Sequence, residues 1–98
     1  MSDGGTATFA HDIKFADHGQ AIFGGDGDFY MGYYGSSTGS KISATNGPFT
    51  IDASGDIILD ADGSDITLKD GGTEIGNISL ASSNLMFTSS VQDKDIIF

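Results

Sequence analysis

Apolar residues recur along the chain in a four-residue unit: Asp or Asn, an apolar residue, any residue, and a second apolar residue. The second and fourth positions lie two residues apart, so in a β-strand both side chains point to the same face. Asp or Asn in the first position is typical of a turn, because its side chain bonds to nearby backbone. Eight copies occur, one of them with Pro in the first position, and they start at Asp12, Asp28, Pro48, Asp56, Asp65, Asn77, Asn84 and Asp95.

The two apolar positions of each unit form the predicted core. Gly, Ser and Asp fill the segments between units, and no segment has the 3.6-residue period of an amphipathic helix. We therefore expect short strands joined by sharp corners. The predicted core positions are Ile13, Phe15, Phe29, Met31, Phe49, Ile51, Ile57, Leu59, Ile66, Leu68, Ile78, Leu80, Leu85, Phe87, Ile96 and Phe98.

Two architectures compete for such short strands. A sandwich or meander would pair them as hairpins, whereas a β-solenoid or β-prism would stack them with one strand on each side. Asn46–Gly47 is the single Asn-Gly hairpin signal, and from Pro48 onward the units start 8, 9, 12, 7 and 11 residues apart. Four-residue strands with small turns favour the second architecture. The predicted fold is all-β, a short-strand β-solenoid or triangular β-prism.

The third position of the units bears on the number of chains. It is apolar at Ile58, Met86 and Ile97, which predicts either isolated exposed residues or burial against another chain. A 98-residue solenoid would also leave its ends open. Because the last unit, Asp95–Phe98, is apolar without a cap, we expect it to be buried in an assembly or to continue into a longer chain. These features favour an intertwined or side-by-side homotrimer.

We expect three segments in a single continuous fibre. Residues 1–27 carry N-terminal β repeats. Residues 28–47 form an aromatic, hairpin-like segment that contains a flexible Gly/Ser loop over residues 35–40, so this segment is expected to project from the shaft. Residues 48–98 carry the regular repeats of the Asp-Ile-x-Leu type.

Composition narrows the classes of partner. The net charge is −10, from 14 acidic side chains against four lysines and no Arg, so we expect no nucleic-acid partner and no attraction to anionic membranes. No apolar run approaches the length of a membrane span. The absence of Cys excludes disulfides and Cys-based metal sites. Disorder, the other class expected of an acidic Gly- and Ser-rich chain, is disfavoured because the apolar residues are regularly placed.

Three segments carry a resemblance to a known family. Residues Gly55–Thr73, Met1–Phe9 and Asp93–Phe98 resemble the repetitive fibre proteins of marine tailed bacteriophages, in which similar segments recur within long chains. The resemblance implies a β-rich, homotrimeric, tail-associated structural protein of the virion. It concerns the type of repeat and implies no active site.

An acidic cluster offers oxygen atoms at alternate positions. Asp60, Asp62 and Asp65 have the ligand type that a hard cation such as calcium prefers. Their spacing fits neither an EF-hand loop nor the calcium-binding nonapeptide repeat. A structural role in turns is the alternative, and in that case no cofactor is expected.

Residues 29–34 contain the densest group of aromatic residues. By strand parity Phe29, Met31 and Tyr33 face one way and Tyr30 and Tyr34 face the other. Exposed Tyr rings are suited to stacking on sugars, which makes Tyr30 and Tyr34 the candidate ligand-binding residues for a host-surface polysaccharide. The alternative is a tyrosine ladder that supports the sheet.

The expected function is that of a structural segment, shaft or tip, of a phage tail fibre or virion fibre, outside the cell. A mechanical role is expected, with a contribution to host attachment if the tyrosines bind a receptor. One alternative is a carbohydrate-binding tip, and another is a bacterial surface adhesin or filament subunit. We expect no enzymatic activity, because no Ser lies in a Gly-x-Ser-x-Gly elbow and every Asp has a role in a turn.

Overall fold

The computed structural model describes residues 4–98 and is all-β, which confirms the predicted class. It contains two three-stranded antiparallel sheets and one helical turn. The chain divides into two compact units, Met1–Asp52 and Ala53–Phe98. Each unit contains one of the sheets.

Sheet A belongs to the first unit. It is formed by β1 (Gln20–Phe23), β2 (Phe29–Tyr33) and β3 (Ser40–Ala44), with β2 in the centre. Met31 lies between Ala21 and Ile42 in the register. The predicted boundary between residues 27 and 28 falls in the β1–β2 connection, so this sheet spans it. The Gly/Ser segment expected to be a flexible loop forms one helical turn, α1 (Gly35–Thr38).

Sheet B belongs to the second unit. It is formed by β4 (Asp65–Asp70), β5 (Thr73–Ala81) and β6 (Asn84–Ser89), with β5 in the centre. Ile78 lies between Ile66 and Phe87 in the register. A β-bulge between Leu68 and Lys69 shifts the pairing near the end of β4.

The turns of sheet B decide how its strands pair. Gly71 and Gly72 join β4 to β5 with φ of 59° and 89°, and Ser82 and Ser83 join β5 to β6 with φ of 50° and 66°. Two consecutive residues of positive φ are typical of the tight turn whose twist matches an antiparallel hairpin. Gly71–Gly72 is thus a hairpin signal of the same kind as Asn-Gly. The prediction counted Asn46–Gly47 alone and therefore overlooked this hairpin.

The expected stacking of one strand on each side is wrong for the units of sheet B. Those starting at Asp65, Asn77 and Asn84 pair as consecutive hairpins, because two-residue turns bring each strand back beside the last. Within residues 4–98 the single chain forms no solenoid and no closed barrel.

Only half of the eight units lie in strands. Residues 12–15, 48–51, 56–59 and 95–98 belong to no strand, whereas β1 and β3 form without a unit. A strand needs a neighbour to accept and donate its backbone hydrogen bonds. The single chain supplies no such neighbour to these four units.

No apolar side chain within residues 4–98 is buried. Of the predicted core positions, Phe29, Ile66 and Ile78 are half-buried and the others are exposed. The sixteen positions therefore do not form a closed core inside one chain. No helix in residues 4–98 has the length and apolar character needed to cross a bilayer.

Gly76 lies in β5 and is the one residue of the described range that is buried. A Cβ atom at this position would collide with the backbone oxygen of Thr88 on β6. We expect Gly76→Ala to lower the free energy of unfolding by about 1–3 kcal/mol, the usual cost of overpacking. Thermal unfolding followed by circular dichroism measures the loss.

Gly55→Ala is the matched control, because a Cβ at Gly55 has no atom within 4 Å and its φ is not positive. Both variants are compared at one protein concentration, since assembly makes the melting temperature depend on concentration. Equal melting temperatures for the two variants would contradict the close approach of β5 and β6 at Gly76.

Candidate functional site

Alternation along the strands gives sheet A two different faces. One face, called here the apolar face of sheet A, carries Phe29, Met31, their paired residues on β1 and β3, and every second residue along each strand. The opposite face carries the residues in between. The apolar face consists of Ala21, Phe23, Phe29, Met31, Tyr33, Ser40, Ile42 and Ala44. The opposite face consists of Gln20, Ile22, Tyr30, Gly32, Lys41 and Ser43.

Three phenylalanines pack together on the apolar face of sheet A. The Phe29 ring lies 5.6 Å from the Phe23 ring and 5.6 Å from the Phe49 ring, measured between centroids, and it stacks on Phe49. Such pairs stabilise by about 0.5–1.5 kcal/mol beyond the area they bury. Phe49 belongs to a unit outside the strands, so this contact attaches residues 48–51 to the sheet.

A wide apolar cavity of about 670 Å3 lies on the apolar face of sheet A. Phe15, Ala21, Met31, Tyr33 and Ile42 contribute to its lining. Four of these five side chains are members of that face, and Met31, Tyr33 and Ile42 remain exposed.

The opposite face of sheet A carries a smaller concavity of about 280 Å3, called here the polar concavity. It brings together both tyrosines predicted to bind a ligand. Both tyrosines are half-buried, so part of each side chain remains accessible to a ligand. The lining residues are His18, Gln20, Tyr30, Tyr34, Thr38 and Lys41.

A hydrogen bond fixes one side of the polar concavity. Gln20 Nε2 donates to the Tyr34 hydroxyl oxygen at 2.5 Å, from β1 to the residue that follows β2. The backbone N–H of Tyr34 donates to Gly39 O at 2.9 Å, and that of Gly39 donates to Gly35 O at 2.7 Å. These bonds close the turn around α1 and hold Thr38 beside the ring.

Gly32 provides the room for the Tyr34 ring. A Cβ at Gly32 would lie 2.5 Å from Gly19 O and 3.4 Å from both Cζ and the hydroxyl oxygen of Tyr34. Any larger residue would push the ring outward or separate β1 from β2. The absence of a side chain at this position therefore shapes the polar concavity.

His18 enters the polar concavity from the turn before β1. Its φ is 66°, and its backbone N–H donates to Tyr33 O at 2.7 Å, which prolongs the β1–β2 pairing. Together with Lys41 it gives the lining two basic side chains, and no Asp or Glu is among the lining residues. Lys41 lies on the edge strand β3 and borders the apolar cavity as well.

The polar concavity offers hydrogen-bond donors, the positively charged Lys41 and the aromatic rings of Tyr30 and Tyr34. This set suits recognition of a hydroxylated ligand. Strand parity in the sequence predicted Tyr30 and Tyr34 as binding residues, whereas His18, Gln20, Thr38 and Lys41 were not predicted. Alternation in Ser40–Ala44, where Lys41 and Ser43 alternate with Ile42 and Ala44, was the available signal for Lys41.

Sheet B also has an apolar face, called here the apolar face of sheet B. It carries the six predicted core positions of this sheet, all of which the register places on one side. A groove of about 260 Å3 runs along it and is bordered by Asp95 and Ile96 near the end of the chain. The six side chains are Ile66, Leu68, Ile78, Leu80, Leu85 and Phe87.

The acidic candidates for a cation site are not gathered in the single chain. Within residues 4–98 no group of three His, Asp or Glu side chains is arranged to hold a metal ion. Asp65 begins β4, whereas Asp60 and Asp62 precede it outside any strand. Ser64, between them and β4, accepts a backbone hydrogen bond from Leu80 at 3.0 Å, which is a role in the sheet.

No protein-family model, no curated protein and no solved structure matches the chain.

Removing the Tyr34 hydroxyl tests the hydrogen bond that fixes the polar concavity. We expect Tyr34→Phe to lower the free energy of unfolding by about 0.5–1.5 kcal/mol, because Gln20 Nε2 loses its acceptor. Tyr33→Phe is the control, since Tyr33 lies on the apolar face of sheet A. Denaturant unfolding followed by fluorescence measures both, and an equal effect of the two variants would contradict the bond.

Proposed function

We propose that this chain is a structural segment of a phage tail fibre or virion fibre and acts mechanically as a homotrimer. The observation that carries the proposal is that no apolar side chain of residues 4–98 is buried in the single chain. Both sheets nevertheless present an ordered apolar face. Burial of apolar surface is the dominant favourable term in folding, so these faces need a cover from outside the chain.

The exposed area supports the same proposal. The chain exposes 8612 Å2, whereas two separate compact globules of half its mass would expose about 6,400 Å2 between them. The difference is well above the roughly 800 Å2 that each partner contributes to an interface of standard size. An obligate assembly accounts for an excess of this size.

The units outside the strands support the same proposal. Residues 12–15, 48–51 and 56–59 form no ladder within residues 4–98 of the chain, although each carries the apolar alternation of a strand. A strand of a second copy would supply the neighbour that their backbone groups need to form a ladder.

A triangular prism is the arrangement that we propose for the trimer. Each of three chains would contribute its sheets to one side, with the apolar faces turned inward. A closed ring of three leaves fewer open sheet edges than a single chain does. An open-ended stack of the same contacts would instead give a bacterial surface adhesin or a filament subunit, which is the alternative in this class.

Leu85→Asp tests the shared core. Leu85 is 68% exposed in the single chain, so the substitution leaves the chain's own packing intact. It places a charge inside the proposed interface. We expect at least a tenfold loss of assembly, because burial of a Leu side chain is worth about 1.5–3 kcal/mol. Light scattering coupled to size exclusion measures the mass.

The control is Thr67→Asp, which adds the same charge on the opposite face of sheet B. We expect wild type and Thr67→Asp at three times 10.1 kDa and Leu85→Asp at lower mass with its β signature retained. The stronger variant Ile66→Asp with Leu68→Asp should abolish assembly. A wild-type chain that stays at 10.1 kDa would overturn the proposal, and a broad distribution of large masses would favour the filament.

A second candidate function is carbohydrate binding. It is favoured by one observation: Tyr30 and Tyr34 line the same concavity together with polar side chains. Aromatic rings beside hydrogen-bond donors are suited to a sugar, which has apolar ring faces and a rim of hydroxyls. In a fibre this site would serve host attachment.

A glycan array tests the second candidate. We expect wild type to bind a subset of host-surface polysaccharides and the variant with Tyr30→Ala and Tyr34→Ala to lose that binding. Tyr33→Phe, which keeps the ring on the apolar face of sheet A and so preserves the proposed interface, is the control in the same strand as Tyr30. Binding that survives in the double variant would exclude the polar concavity as the site.

A further inference from the structure

The charge of the polar concavity is opposite to that of the chain. The chain has 14 acidic side chains against four lysines. The concavity is nevertheless lined by Lys41 and His18 and by no carboxylate. In a protein of net charge −10, an anionic ligand in this concavity meets two basic side chains and no like charge among the lining residues.

The hydrogen-bonding groups of the concavity are arranged for hydroxyls. Because Gln20 Nε2 donates to the Tyr34 oxygen, the hydroxyl hydrogen of Tyr34 is left to donate elsewhere. Gln20 keeps a second N–H and its carbonyl oxygen, and Thr38 adds a hydroxyl that both donates and accepts. A ligand with several hydroxyls on one ring would satisfy all three side chains.

The concavity has room for about one ring. Its volume of about 280 Å3 lies just below the range for small-molecule sites, about 300–1,000 Å3. Tyr30 and Tyr34 supply rigid rings on which an apolar ring face can rest at little cost in side-chain entropy.

We propose that the polar concavity binds a single sugar ring that carries a carboxylate, as a uronic acid does, with Lys41 Nζ donating to the carboxylate. The proposal rests on carbohydrate binding, the second candidate function, and names its substrate class. One lysine matches a single negative charge. A phosphorylated sugar would bring more negative charge into a chain already at −10.

Binding and assembly use different faces of sheet A. The polar concavity lies opposite the face that carries Met31 and Ile42. Lys41 lies on the edge strand β3 and borders the cavity of the apolar face as well. A second copy that covers Met31 and Ile42 without reaching this edge would leave the concavity open. A ligand can thus be bound by the assembled protein.

The experiment compares two probes that differ only at C6, which is a carboxylate in methyl β-glucuronide and a hydroxymethyl group in methyl β-glucoside. Titration of the assembled protein, followed by ligand-observed NMR, gives the two dissociation constants. We expect the glucuronide to bind about three- to tenfold more tightly, the effect of a charge-assisted hydrogen bond reduced by the exposure of Lys41. The preference should shrink as salt is added.

Lys41→Met should remove the preference by lowering the affinity for the glucuronide to that for the glucoside. Lys69→Met, in β4 of sheet B, is the control and should leave both affinities unchanged. Light scattering of each variant shows that assembly is intact, and Lys41→Gln replaces Lys41→Met if the latter does not assemble.

Each remaining outcome overturns a defined part of the proposal. Equal affinities of wild type for the two probes would overturn the carboxylate specificity and leave carbohydrate binding standing. Failure of both probes together with a silent glycan array would overturn both. A preference for the glucuronide that persists in Lys41→Met would show that Lys41 does not contact the carboxylate, which also overturns the proposal.

Discussion

Each sheet has an apolar face that residues 4–98 of a single chain leave largely exposed, and this constraint governs the other features of the structure. Phe29 finds Phe23 and Phe49 as neighbours, yet no apolar side chain in the described residues is buried. A chain of this length has a thin core at best, and flat sheets without a second layer cannot close one. Proposed assembly and proposed function therefore have the same physical origin, because a fibre is a way of sharing one core among several chains.

Local turn chemistry organises the sheets before any packing is considered. Gly71–Gly72 and Ser82–Ser83 take positive φ and return the chain as hairpins, which places Ile66, Ile78 and Phe87 in one row. Gly76 then permits β5 and β6 to approach closely. The apolar face of sheet B follows from these turns, since a shift of one residue would send the row to the other side.

Sheet A separates two tasks by the same alternation. One face is apolar and suited to contact with another copy of the chain. The other face carries Tyr30, Tyr34 and Lys41 in the polar concavity, where Gln20 hydrogen-bonds to the Tyr34 hydroxyl. A strand with period two can serve assembly on one side and recognition on the other, and neither proposal requires the other face to change.

The repeat of apolar positions by itself determined the all-β class. It also determined the shared face of Ile66, Leu68, Ile78 and Leu80, and it placed Tyr30 and Met31 on opposite faces. Strand geometry alone sets which side chains point to the same side. Only the tertiary structure decided that the units pair as hairpins and that half of them lie outside strands, since pairing depends on turn φ and on available neighbours. It also brought His18, Gln20 and Lys41 to Tyr34. Those residues are distant in sequence, and the β1–β2–β3 register is the physical reason that they meet.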